Sequence, residues 1–106
     1  LDEMSSVYRY LLQTGDRELI PLRQELAFIK SYYHLLKTRY GSAIALYREV
    51  DEALLDAQLP PLTLQLLVEN AVKHNAILPE NPLIISLLTT EANELVVANT
   101  IHRKSA

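Results

Sequence analysis

One short stretch of the sequence groups polar side chains that could bind a metal ion and phosphate. Glu69, Asn70, Lys73 and His74 lie within a segment that is otherwise rich in leucine, valine and alanine. On a helix, residues three and four apart are neighbours, so Asn70, Lys73 and His74 would share a face. An amide oxygen can complete the shell of a Mg²⁺ ion, while lysine and histidine can meet the phosphates that the metal bridges.

The simpler interpretation is a core helix without chemistry. In that case Asn70 is hydrogen-bonded internally, and Glu69 and Lys73 form a solvated pair, which spacing alone favours. Residues 60–75 do predict one amphipathic helix, opened by two prolines and closed by Asn75. Because asparagine inside a helix competes for backbone hydrogen bonds, Asn70 still requires an explanation.

The same segment resembles the N box, the asparagine-containing helix of the sensor histidine kinases. LQLLVENAVKHN is similar to that helix, and PPLTLQLLVENAVKH resembles the LytS-type branch in particular. The similarity extends through nearly the whole chain in the same order. Upstream, it includes the branch's leucine, glutamate-leucine, tyrosine and arginine-aromatic-glycine residues: Leu22, Glu25, Leu26, Tyr32, Arg39, Tyr40 and Gly41.

The resemblance implies a protein-histidine kinase in the intact protein, with ATP and Mg²⁺ as cofactors. The γ-phosphoryl group of ATP would pass to a histidine and then to an aspartate of a response regulator. Asn70 would hold the metal through the nucleotide, and Lys73, His74 and Asn99 would join it in binding the nucleotide. Glu69 is the candidate catalytic residue, for which a structural or acceptor-orienting role is favoured because a kinase must avoid hydrolysis.

Asn99 lies where the family ends a strand with its adenine-binding box. Asparagine replaces the commoner aspartate at this position, and Ile101 stands where glycine is usual. These departures keep a second function open: a protein-interaction or dimerisation module with a vestigial nucleotide site. An ATPase of the same superfamily is a third option.

Length and composition indicate one small globular domain or a piece of one. The chain has 106 residues, 49% of them hydrophobic, a net charge of −3 and no cysteine. Interspersed charges argue against a nucleic-acid surface, and the lack of cysteine excludes disulfides and thiolate metal sites. No apolar run approaches the length of a membrane span, so we expect no membrane contact by this chain.

Apolar periodicity predicts helices at residues 1–13, 21–40 and 60–75, the first of them ended by Gly15. It predicts strands at residues 43–50 and 57–59 and a hairpin from residues 83–89 and 94–99, with a loop at residues 77–82. His34 is expected to be solvated. The fold class is an α/β (α+β) two-layer sandwich with helices on one face of a mixed sheet. The resemblance implies the ATP-binding fold of histidine kinases, gyrases, the ninety-kilodalton heat-shock chaperone and mismatch-repair ATPases.

By resemblance, residues 1–14 end the dimerisation and phosphotransfer hairpin, and residues 15–106 form the N-terminal part of the ATP-binding domain. The chain begins at Leu1, so we expect it to be cut from a longer protein, with the phosphoacceptor histidine upstream and the glycine-rich lid beyond Ala106. Such a piece is expected to be inactive and to form homodimers or oligomers through unpaired sheet edges. The expected partner is a LytTR-type response regulator. The expected location is cytoplasmic, and an anchor of the parent protein in the inner membrane stays open.

Overall fold

The computed structural model describes residues 4–14 and 18–102, and its centre is a four-stranded mixed sheet. The strand order is β1-β6-β5-β3, in which β3 and β5 are parallel and the other neighbours antiparallel. A two-residue strand pair, β2 with β4, lies apart from this sheet. The elements are β1 (Met4–Leu11), β2 (Ile20–Pro21), α1 (Leu22–Tyr40), β3 (Ile44–Glu49), β4 (Gln58–Leu59), α2 (Thr63–His74), β5 (Leu83–Thr89) and β6 (Glu94–Ile101).

Both helices pack on one face of this sheet, which confirms the predicted fold class. Alternate residues of β5 and β6 point to that face, because successive side chains of a strand point to opposite sides. The core joins them to the apolar stripes of the helices; its fully buried members are Leu22, Ile29, Ile44, Leu59, Leu64, Leu83, Ile85, Leu87 and Leu95. The antiparallel hairpin of β5 and β6 is also confirmed.

Helix α1 follows its sequence pattern closely. It begins after Pro21 and ends at Gly41, whose φ of 57° places it in a region that favours glycine. The apolar stripe predicted at spacings of three and four residues is buried or partly buried: Leu22, Leu26, Ile29, Tyr33, Leu36 and Tyr40. His34 is exposed, as expected. The sequence pattern did not predict that Glu25, one turn into the helix, is also buried, with 4% of its surface exposed.

Helix α2 is shorter than predicted at its N-terminal end. Pro60 and Pro61 precede the helix instead of opening it, and Leu62 adopts a left-handed conformation with φ of 71° before the helix begins at Thr63. The reversal at Leu62 stops the helix from extending back to the prolines. At the other end, Asn75 is the C-terminal cap, as predicted.

The helix predicted for residues 1–13 is wrong for residues 4–11, which form β1. This strand pairs with β6 along its whole length. Val7, Tyr8 and Tyr10 favour strands, and pairing with the edge of β6 satisfies the backbone of the segment, so tertiary context outweighs the helical spacing. The strand leaves Val7, Tyr8 and Leu11 at least 50% exposed.

Leu1 and Gly15, the predicted limits of that helix, lie outside the described residues. The division of the chain after residue 14 stays a prediction, since pairing with β6 gives the conformation of β1 and not the domain to which it belongs. In the described ranges, neither α1 nor α2 combines the length and the hydropathy needed to span a bilayer.

Candidate functional site

A cavity of about 200 Å³ lies between α2 and the end of β6, with β1 as its third wall. Three predicted site residues, Asn70 and His74 of α2 and Asn99 of β6, line it together. The full lining is Ser6, Tyr8, Leu67, Asn70, Ala71, His74, Asn75, Asn99 and Ile101. Amide and imidazole groups from two elements that are distant in sequence therefore face one space.

The packing of α2 explains why Asn70 and His74 face this cavity. Leu64, Val68 and Ala71 are buried against the core, which fixes the rotation of the helix. Asn70 and His74 are four residues apart and lie one above the other beside that buried stripe. The apolar stripe thus directs both polar side chains to the end of β6.

The Asn70 side chain is exposed and makes no hydrogen bond with another described residue. The alternative in which Asn70 is hydrogen-bonded internally therefore does not hold within the described part of the chain. Its amide is available to a ligand, both as an oxygen acceptor and as a nitrogen donor.

Lys73 and Glu69 lie on other sides of α2. Lys73 is exposed and is not part of the cavity wall. Glu69 is partly buried on the side that faces α1, where its Oε2 accepts a hydrogen bond from Gln65 Nε2 at 3.2 Å. Burial raises the pKa of the Tyr32 hydroxyl on α1 above its usual 10.0, and the negative charge of Glu69 raises it further. The predicted residues thus form one cluster at the cavity and two separate positions.

Asn99 is 8% exposed and lines the cavity from near the C-terminal end of β6. Its Nδ2 donates to the Thr100 carbonyl at 2.6 Å, so its Oδ1 is the group left without a partner among the described residues. Thr100 in turn accepts the Ile84 amide at 3.1 Å, which fixes this part of β6 to β5. Asn99 therefore presents a hydrogen-bond acceptor from a rigid strand.

Asn75 is a residue of this site that the sequence interpretation used only to end a helix. It is 6% exposed, lines the cavity and hydrogen-bonds to both α2 and the residue that follows β6. A buried asparagine at a helix end gives a sequence signal for a cap, but the second partner is far away in sequence and only the fold brings it close.

The donor set at the cavity fits a metal that arrives with phosphate. Among the residues that the structure describes, no group of three or more histidine, cysteine or acidic side chains could hold a metal ion alone. Asn70 and Asn99 offer amide oxygens and His74 an imidazole ring, whereas Mg²⁺ at nucleotide sites takes few protein ligands and completes its shell with phosphate oxygens and water. The site chemistry therefore suits a metal–nucleotide complex better than a bare ion.

Comparison with known proteins supplies the class. A family model described as histidine kinase matches residues 1–44, from β1 through α1 to the first residue of β3. The α/β fold agrees with that class.

The individual relatives narrow the assignment further. Sensor protein LytS of Oceanobacillus iheyensis is 32% identical over 96 residues, which cover 91% of this chain and 16% of the relative. Sensor protein LytS of Enterococcus faecalis and sensor histidine kinase/phosphatase LytS of Staphylococcus aureus are each 35% identical over 72 residues, or 68% of this chain and 12% of each relative. The chain belongs to the LytS-type sensor histidine kinases, and it spans 12–16% of the length of these relatives.

Proposed function

We propose that this chain carries the N-box side of a Mg-ATP site in a histidine kinase. In the complete gene product, ATP would phosphorylate a histidine and leave as ADP, and the phosphoryl group would then pass to an aspartate of a response regulator. The observation that carries the proposal is the meeting of Asn70, His74 and Asn99 at one cavity, with the Asn70 amide free of partners among the described residues.

The proposed roles of four site residues follow from their positions. Asn70 Oδ1 is the proposed metal ligand, because it is an exposed neutral oxygen on a well-packed helix. His74, one turn further along, would donate to phosphate oxygens. Lys73 is exposed on a flexible side chain and would add positive charge from the helix surface. Asn99 Oδ1 would accept a hydrogen bond from the amino group of adenine.

Glu69 is proposed to support the site and not to activate water. Its carboxylate lies toward α1 and is hydrogen-bonded to Gln65, and it is not part of the cavity wall. A base must reach the proton it abstracts, directly or through one water. The position of Glu69 supports an orienting role, which suits a kinase that must protect ATP from hydrolysis.

The size of the cavity sets an expectation for the isolated chain. About 200 Å³ is smaller than the roughly 300–1,000 Å³ of typical ligand pockets. We expect the 106-residue chain to bind Mg-ATP feebly and not to autophosphorylate. Calorimetric titration with a non-hydrolysable ATP analogue measures this, and binding in the micromolar range or tighter would refute it.

The proposed partners follow from the family. We propose a LytTR-type response regulator as the phosphoryl acceptor, a homodimer or oligomer as the assembly, and a cytoplasmic location for this portion of the gene product. The competing function is a dimerisation module with a vestigial nucleotide site. A complete protein that dimerises but does not bind nucleotide would favour that module.

The decisive experiment compares Asn70→Ala with Lys73→Ala in the complete kinase. Asn70→Ala removes a metal ligand while the buried stripe of α2 stays intact, so autophosphorylation should fall by orders of magnitude with the melting temperature unchanged. Lys73→Ala removes only a surface charge and should reduce the rate less. Radiolabelled phosphate transfer and thermal melting on the same samples provide the readout. An Asn70→Ala protein with normal activity per folded molecule would rule out the metal-ligand role.

A further inference from the structure

The side chain of Asn75 connects α2 to the segment that follows β6. Its Nδ2 donates to the Ala71 carbonyl in the last turn of α2 at 2.8 Å. Its Oδ1 accepts the amide of His102, immediately after β6, at 2.7 Å. With 6% of its surface exposed, Asn75 satisfies two backbone groups at once in a largely water-free position.

The backbone beside Asn75 strengthens the same connection. The Ala76 amide donates to the His102 carbonyl at 2.6 Å, so both backbone groups of His102 are bonded to residues 75 and 76. On its other side, β6 is held to β5 through the Thr100 hydroxyl. The end of β6 is therefore fixed between the sheet and the C-terminal end of α2.

This connection joins two walls of the cavity. Asn70 and His74 lie on α2 before Asn75, whereas Asn99 lies on β6 before His102. All of them except His102 line the same space. A change in the Asn75 contacts would therefore alter the spacing between the α2 wall and the β6 wall.

We infer that Asn75 is a positioning residue: it sets the distance between Asn70 and Asn99 so that both can contact the same nucleotide. The inference rests on the proposed function, since it names a determinant of that site. Asn75 acts through the two walls: it holds the last turn of α2 and the end of β6 at a fixed separation, so the metal-binding and base-binding ends meet the ligand without prior rearrangement.

The test uses Asn75→Ala in the complete kinase and compares two readouts. Hydrogen exchange at the His102 amide should become at least tenfold faster, because the side-chain acceptor is lost. The KM for ATP should rise at least tenfold, while kcat at saturating ATP changes less than threefold. Ile29→Val and Leu36→Ala serve as matched controls, because they loosen the core of α1 away from the cavity and should leave this KM unchanged.

The outcomes separate the inference from the proposed function. Faster exchange at His102 with an unchanged KM would overturn the inference and leave Asn75 a structural cap. An unchanged exchange rate would overturn it as well. A complete unmodified protein that neither binds nor uses ATP would overturn the proposed function together with this inference, and that failure would be seen before any variant is made.

Discussion

Glu25 holds the N-terminal end of α2 from the neighbouring helix. The carboxylate is buried on α1, where Oε2 accepts the Leu62 amide at 3.1 Å and Oε1 accepts the Leu64 amide at 2.8 Å. The first amides of a helix have no intrahelical acceptors, and α2 has neither a side-chain cap of its own nor an acidic residue in its first turn. Glu25 provides both functions from outside the helix.

The size of the effect follows from these contacts. Glu25→Gln keeps one oxygen acceptor but turns an NH₂ group toward the second amide and removes the negative charge from the helix N-terminus. Losing one charge-assisted hydrogen bond and the interaction with the helix dipole costs about 2–4 kcal/mol. Relief of the cost of burying a charge offsets part of this, so we expect a net loss of about 2 kcal/mol. Glu25→Ala loses both bonds and should cost about 3 kcal/mol.

Urea unfolding of the 106-residue chain, followed by circular dichroism, measures this loss. The control is Glu80→Gln, at an exposed loop position, which should change the unfolding free energy by less than about 0.5 kcal/mol. If both Glu25 variants also stay within about 0.5 kcal/mol of the unmodified chain, the capping role is refuted.

Gly41→Ala should destabilise the chain by about 1–3 kcal/mol in thermal melting through backbone strain alone, since φ is 57° and no atom of the described residues lies within 4 Å of an added Cβ. Tyr32 has a raised pKa in the folded state, so its contribution to stability is complete below its usual pKa of 10.0 and is lost as the pH rises through the folded value. Tyr32→Phe should therefore flatten the alkaline fall in melting temperature. Light scattering should detect oligomers, because Val7 and Leu11 leave apolar surface on the edge strand β1; a clean monomer at millimolar concentration would contradict this.

Local sequence signals were sufficient to predict α1 and the hairpin of β5 and β6. Both are long, have clear periodicity and end at residues with special backbone preferences, such as Gly41 after α1 and Asn93, with φ of 60°, before β6. In such elements the apolar face of the sequence and the buried face of the fold coincide, so the pattern determines the element.

The same signals could not predict β1. Residues 4–11 have apolar side chains at helical spacing and residues with high strand propensity at once, and an isolated segment of this length fits either pattern. Pairing with β6 decides the conformation of this segment, and β6 lies more than eighty positions later in the chain. Long-range pairing of this kind leaves no trace in the local periodicity.

The sequence also predicted only part of the candidate site. Helical spacing predicted that Asn70 and His74 would lie together, but it also grouped Lys73 with them, although Lys73 is outside the cavity wall. Spacing gives the relative angles of side chains around a helix, whereas the core contacts of α2 decide which angles face β6. Asn99 came only from family resemblance, because no local pattern relates a strand residue to a helix elsewhere.

Both ends of α2 are held by polar side chains that contact other elements. At the N-terminal end of α2, Glu25 of α1 accepts hydrogen bonds from two backbone amides. At the C-terminal end, Asn75 connects the helix to the residue after β6. These contacts, together with the apolar packing of its buried stripe, fix the position of the helix that carries Asn70. Because hydrogen bonds are directional, the two polar attachments add a defined orientation to the position of Asn70 relative to Asn99. Variants at Glu25 and Asn75 should for this reason lower the free energy of unfolding non-additively when they are combined. When either variant is combined with the exposed Glu80→Gln, the two changes in free energy should be additive.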